Sequence, residues 1–322
     1  RTVLERTRST RKSKIHRRIT MSSSAATAFD SARNGGTFLD AAAVASIPVA
    51  SWEEVLKVHD ALVSEGGRSQ CGWKVGMNST AAWGAHKAYG LTGPITGPLF
   101  GEFCVPSGGV VGPSKGLIMA EAEWGFRFAK SPVATGPDGT YVAKDITSAL
   151  SELVLCIEMC GTRFANNGKP TTICQKLADH ALNTAVVTGK SFTIGEGKGC
   201  VSIATLTGLG AREVNLVCGT ATAVGTLDAI PQLVYLANHL AGRGKAIAPA
   251  DLVITGATAV LKGGATFVAG SKVIATFPHP LGGDKTIDVT CTTREAQGVS
   301  AASQGATPFV VAAVALAVGI AS

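Results

Sequence analysis

The chain has 322 residues, 46% of them hydrophobic and 6% aromatic, with 39 glycines and a mean hydropathy of +0.27. Such a composition can bury a sizeable core in one large or two small domains, and so much glycine argues for strands and tight turns over a helical bundle. The net charge of +7 resides in residues 1–20, which hold eight basic residues and one acid, while positions 21–322 balance 21 basic against 21 acidic residues, so no nucleic-acid partner is expected.

In chain order, residues 1–45 read as a disordered extension, basic at first and then rich in Ser and Ala. The Arg/Ser/Thr-rich, acid-poor start suits a mitochondrial presequence; a start at Met21 would instead give a cytoplasmic protein, the location expected here. Folding is expected to begin at residue 46 and to run to residue 295 as a single catalytic domain. Ser51-Trp-Glu-Glu54 forms a capping box, followed by Val55, Leu56, Val58, Leu62 and Val63 at helical spacing, with Gly66 as the stop. From Gly72 to Thr140 the pattern is one of strands and Gly/Pro turns.

Within that stretch, Ala120–Phe128 alternates with a period of two. Glu121, Glu123, Gly125 and Arg127 line one face of a strand, and Ala122, Trp124, Phe126 and Phe128 line the other. The paired carboxylates repel unless a cation lies between them. Leu153–Glu158 reads as a buried strand ending on an acid, where an uncompensated charge is costly. Three carboxylates with waters make a hard-cation site for Mg²⁺ or Mn²⁺; the alternative for Glu121 and Glu123 is a solvated face.

Lys176–Val187 has helical periodicity, and Pro231 opens a second helix with Leu233, Leu236, Ala237 and Leu240 on one stripe. Leu252–Thr255, Lys272–Phe277 and Thr286–Thr290 read as short strands. The eight cysteines form no Cys-x-x-Cys pair and read as small buried thiols. Residues 296–322 form a tail whose apolar part, Pro308–Ile320, falls short of the about 20 residues of a membrane span, so membrane attachment is not expected.

Seven segments, in order, resemble the 2-keto-4-pentenoate hydratase and 4-oxalocrotonate decarboxylase branch of the fumarylacetoacetate hydrolase superfamily. They are Gly72-Trp-Lys74-Val-Gly76-Met, Gly97-Pro-Leu-Phe100, Glu121-Ala-Glu123, Glu158 through Thr162-Arg163, Leu177-Ala-Asp179-His-Ala-Leu-Asn183, Gly225 through Pro231 and Asn238, and Asp251-Leu-Val-Ile-Thr255-Gly256-Ala. The resemblance runs from about Ala61 to Val289. It implies an α+β fold, a mixed β-roll with a small N-terminal α/β region, and a homo-oligomer.

It also implies a lyase acting on small 2-oxo or 2-hydroxydienoic acids. Glu121, Glu123 and Glu158 would hold Mg²⁺ or Mn²⁺, which stabilises an enolate, and Lys74 would serve as the catalytic charge or proton donor. Asn78, Arg163, Asp179, Thr255 and Gly256 fall at substrate-binding positions. The chain departs from the hydratase pattern at Pro94-Ile95-Thr96-Gly97, where that pattern carries an Asp, and at Met77-Asn78 and His180. Water addition therefore lacks its acid–base carboxylate. Two alternatives stand beside the lyase: a catalytically lapsed relative acting as a binding or scaffold protein, and an acylpyruvate hydrolase.

Overall fold

The computed structural model describes residues 22–113, 116–165, 172–262 and 267–295. The expectations for residues 1–21 and for the tail 296–322 lie outside the described residues. Strands dominate, and helices occur both before the first strand and between strands, so the α+β expectation holds in element content. Among the described residues no helix is long and apolar enough to cross a membrane.

The expectation that folding begins at residue 46 is corrected. Helix α1 (22–34) buries Ala25, Ala26 and Phe29, and Phe29 meets Phe164 edge-on at 5.7 Å between ring centroids. The Ser/Ala composition hid this helix because its apolar face is made mostly of alanines with one aromatic anchor. Helix α2 (Trp52–Glu65) starts where the capping box places it. The Ser51 hydroxyl accepts from the Glu54 N–H, and Glu54 reaches back to the N–H of Ala50. Val55, Val58 and Leu62 point inward with Phe29, Ile95, Phe100 and Leu177 in a core of their own. Residues 22–69 contribute helices and the single bridge Leu39–Phe164; strands begin at residue 70.

The larger sheet joins β1 (Gln70–Gly76), β2 (Ile95–Phe100), β3 (Cys104–Pro106), β5 (Leu117–Phe128), β6 (Leu150–Gly161), β7 (Asn183–Thr193), β10 (Leu252–Ile254) and β11 (Ala259–Lys262). Its order is β2-β1-β10-β5-β6-β7-β3, with β11 continuing along β5 beyond β10. The smaller sheet runs β4 (Val110–Val111), β13 (Thr286–Thr293), β12 (Lys272–Pro278), β8 (Val214–Cys218) and β9 (Ala221–Gly225). Both sheets are mixed: β1–β10, β3–β7 and β4–β13 are parallel, and the remaining pairs are antiparallel.

The main core is shared between the sheets. Ala122, Trp124, Phe126 and Phe128 of β5 enter it together with Leu153, Leu155 and Ile157 of β6, and they meet Leu216, Val273, Phe277 and Val289 of the smaller sheet. Trp124 and Phe277 pack with ring centroids 5.0 Å apart. Helix α4 (Ile230–Ala241) lays Leu233, Leu236 and Leu240 on the same core, as its spacing predicts. Because strand side chains alternate, burying this face turns Glu121, Glu123 and Glu158 to the other face of the larger sheet.

The helix expected over Lys176–Val187 is a second correction. A short helix α3 (Ile173–Ala178) ends at Asp179, and His180, Ala181 and Leu182 take positive φ values of 52°, 51° and 67°. Three consecutive left-handed residues end the helix, and β7 starts at Asn183. No disulfide joins any of the eight cysteines among the described residues.

Candidate metal centre

Glu121 and Glu158 are register partners across the antiparallel β5–β6 pair, so both carboxylates rise from the same spot on the sheet. Glu123 lies two residues farther along β5, opposite Cys156. Lys74 arrives from β1, whose neighbours Trp73 and Val75 enter the main core and thereby send Lys74 to the acidic face. Glu123 and Glu158 are fully buried, Lys74 is 3% exposed and Glu121 is partly buried.

The Lys74 ammonium donates to both oxygens of Glu158, at 2.7 and 2.6 Å, and the Asn183 amide donates to Glu158 Oε1 at 2.7 Å. Burial alone would discharge Lys74, but the charge of Glu158, with Glu121 and Glu123 behind it, holds the ammonium above the usual lysine range. The two remaining acids respond in the opposite direction. Burial, followed by the charge of Glu158, pushes Glu121 up to about 7, while Lys74 and a hydrogen bond with the Cys160 thiol pull against that rise. Glu123 is raised well above the carboxylate range by burial and then by Glu158 and Glu121.

One lysine therefore faces three carboxylates, and the site lacks positive charge. Glu123 shows this directly: Oε2 accepts from the Gly256 N–H at 2.8 Å, whereas Oε1 is buried without a partner among the described residues. Glu158 Oε2 accepts from Lys74 and, as a carboxylate oxygen, has capacity for a further partner. Ligand atoms of Glu121, Glu158 and Cys160 lie within 4.8 Å of one another. The close carboxylate oxygens of Glu121 and Glu158 fit a divalent cation; Glu123, with its orphaned Oε1, lies on the same sheet face but outside that close group.

The residues expected at the substrate hold the following places in the structure. Arg163 and Asp179 pair with each other. Asp179 accepts from the Arg163 backbone N–H at 2.7 Å and from its Nε at 2.8 Å. The rest of the guanidinium donates to Thr184 Oγ1 and to the carbonyls of Gly161 and Asn183. Burial acts to raise Asp179, but Arg163 and His180 overcome it and hold the carboxyl down at about 2. This buried pair supports the Gly161 and Asn183 ends of β6 and β7 beside Glu158.

Thr255 is also committed, since its hydroxyl donates to the Trp124 carbonyl at 2.9 Å. The Thr255 carbonyl accepts from Asn78 Nδ2 at 2.9 Å, and Asn78 Oδ1 has no partner among the described residues. Gly256 has φ +93°, and a Cβ there would sit 2.0 Å from Asn78 Nδ2, so glycine is what allows the backbone N–H to reach Glu123. Sequence reasoning missed Asn183 and Cys160. The signal for Cys160 was its position two residues after Glu158, on the same strand face.

No protein-family model matches the sequence. The chain is 29% identical over 192 residues to the 4-oxalocrotonate decarboxylase of Pseudomonas putida, covering 60% of this chain and 69% of that protein. A protein of the same name from Pseudomonas sp. strain CF600 is 27% identical over 190 residues, covering 59% and 68%. Among solved structures, the 4-oxalocrotonate decarboxylase from Pseudomonas putida G7, complexed with magnesium and adipate, matches with a TM-score of 0.65 at 20% identity over 84% of this chain and 97% of that one. The same enzyme complexed with calcium and acetate matches equally well, with a TM-score of 0.65 at 20% identity over 85% and 97%. The sequence similarity to the two decarboxylases supports the resemblance carried by the ordered motifs, that to the 2-keto-4-pentenoate hydratase and 4-oxalocrotonate decarboxylase branch of the fumarylacetoacetate hydrolase superfamily, and the solved decarboxylase structures share the fold of this chain.

Proposed function

We propose that the chain is a divalent-cation-dependent lyase acting on small 2-oxo acids, and that its reaction is decarboxylation of a diacid of the 4-oxalocrotonate type. The observation that carries this reading is the Lys74–Glu158 pair set among Glu121 and Glu123 on one buried sheet face. Glu121, Glu123 and Glu158 would hold Mg²⁺ or Mn²⁺, ions suited to carboxylate oxygens, and the decarboxylase of similar fold has been solved in complex with magnesium and with calcium. When bound, the cation supplies a Lewis acid at the carboxylate and 2-oxo group of the substrate.

In the reaction, the carbon–carboxylate bond breaks, CO₂ leaves, and the electron pair moves through the conjugated chain to the 2-oxo oxygen. The Lys74 ammonium offsets the charge growing there and gives that oxygen a proton. Glu158 and Asn183 fix the position of the ammonium, and burial of the pair excludes water from it. Asn78, with Oδ1 unpartnered, is the candidate that retains a group for substrate contact. Ile95 favours decarboxylation over hydration: it is buried and apolar, paired with Gly76 on β1, so no carboxylate stands there to handle the proton of an attacking water.

The test is to supply Mg²⁺-loaded protein with 4-oxalocrotonate and, separately, with 2-hydroxypenta-2,4-dienoate, and to identify the products. Release of CO₂ from the first with no consumption of the second supports the proposal. Hydration of the second without CO₂ from the first overturns decarboxylation, and consumption of neither, with Mg²⁺ or Mn²⁺, overturns the enzyme. Glu123→Gln ties the activity to the cation, because it keeps the side chain's shape and should abolish the thermal stabilisation that Mg²⁺ confers.

A further inference from the structure

Cys160 lies on β6 two residues after Glu158, which turns its thiol to the acidic face of the sheet. It is 1% exposed, and its sulfur lies within 4.8 Å of ligand atoms of both Glu121 and Glu158. The other thiol on that strand face, Cys156, is not in this group; its Sγ contacts the Val154 carbonyl at 3.8 Å. The orphaned Glu123 Oε1 faces the same shortage of positive charge.

A thiol sulfur is a soft donor, ignored by Mg²⁺ and taken up by Zn²⁺, Co²⁺ or Cd²⁺. The geometry points to Cys160 as a conditional ligand: the centre binds hard ions through its carboxylates alone and borderline or soft ions through Glu121, Glu158 and the Cys160 sulfur. This inference rests on the metal-centre reading and goes beyond it by making Cys160 the residue that sets which divalent ions the chain retains.

The experiment is a Co²⁺ titration of the full, metal-stripped chain followed by absorption spectroscopy. Cys71 and Cys104, whose sulfurs approach to 3.4 Å, form another pair able to take a soft ion, so both are replaced by Ser in the background used. The expected spectrum has visible ligand-field bands and a near-ultraviolet thiolate-to-cobalt band. Cys160→Ser should lose the near-ultraviolet band and keep the others. Calorimetry should show the same variant losing on the order of tenfold or more in Cd²⁺ affinity, the scale seen when metal-site partners are removed, with Mg²⁺ affinity little changed.

Co²⁺ binding without a thiolate band, or a band unchanged in Cys160→Ser, overturns the role of Cys160 and leaves the carboxylate centre standing. Absence of Co²⁺ and Mg²⁺ binding, or binding unaffected by Glu121→Gln, overturns the centre itself. Cys160→Val serves as the second variant if Cys160→Ser fails to fold by circular dichroism.

Discussion

Glu121 and Glu158 stand directly opposite each other on β5 and β6, two acids where a sheet ordinarily places an apolar or oppositely charged pair. The Lys74 ammonium, bonded to both oxygens of Glu158, compensates one of the two charges. This makes Lys74→Met the sharpest probe of the site. Removing one partner of a buried ion pair typically costs ~3–5 kcal/mol because the other charge is left uncompensated. In chelator, urea denaturation should show a loss of that order, and Mg²⁺ or Mn²⁺ should restore part of it while K⁺ does not. A loss under about 1 kcal/mol would place the pair in the range of solvated ion pairs and contradict its burial.

Arg163 and Asp179 give a prediction that separates a structural role from substrate contact. Asp179→Ala leaves a buried guanidinium facing two carbonyls and a hydroxyl, and should destabilise the protein by ~3–5 kcal/mol. The double variant Arg163→Met/Asp179→Ala should be less destabilised than the sum of the two single changes, because it removes both charges together. Additive losses in a denaturation cycle would show that the two residues act independently.

These residues also mark where the sequence was readable. The faces of β5 were legible because Ala122, Trp124, Phe126 and Phe128 alternate with polar residues, and a half-buried strand permits one assignment of in and out. Helices α2 and α4 were legible from local caps and stripes. The Arg163–Asp179 pair was not, since it joins residues 16 positions apart, one just past the end of β6 and the other immediately before a helix–strand break. That break was itself hidden, because the positive φ values at His180, Ala181 and Leu182 are imposed by tertiary packing on residues that ordinarily avoid them. Cys160 was passed over because a cysteine on an apolar strand reads as a small hydrophobe until its neighbours across the sheet are known.

His59 predicts an acid limit to stability. It is buried in α2 and bonds through Nε2 to the Leu177 carbonyl at 2.8 Å, and burial pulls its folded pKa from 6.5 down to about 4. Between those values the unfolded chain binds a proton that the folded chain refuses, so this contribution to stability is full above pH 6.5 and falls as the pH drops toward 4. The slope for one such proton approaches ~1.4 kcal/mol per pH unit. His59→Gln should remove about one proton from the measured dependence of unfolding free energy on pH. Part of the slope should remain, because His180 is shifted downward by burial as well. An unchanged slope in His59→Gln would refute the assignment.

Gly256 connects backbone conformation to the centre. Its φ of +93° and its N–H bond to Glu123 come together, and a methyl group there would meet the Asn78 amide at 2.0 Å. Gly256→Ala must therefore either move Asn78 or withdraw the N–H from Glu123, in addition to strain on the order of 1–3 kcal/mol from the unfavourable φ. The expected outcome is a lower melting temperature together with a reduced shift on adding Mg²⁺, since Glu123 loses the donor that orients it. Combining Gly256→Ala with Asn78→Gly removes the collision and leaves the φ strain, so the double variant should regain part of the Mg²⁺-induced shift and less of the stability. A Mg²⁺-induced shift equal to that of the unaltered protein in Gly256→Ala alone would show that the Gly256 N–H does not position Glu123 for the cation.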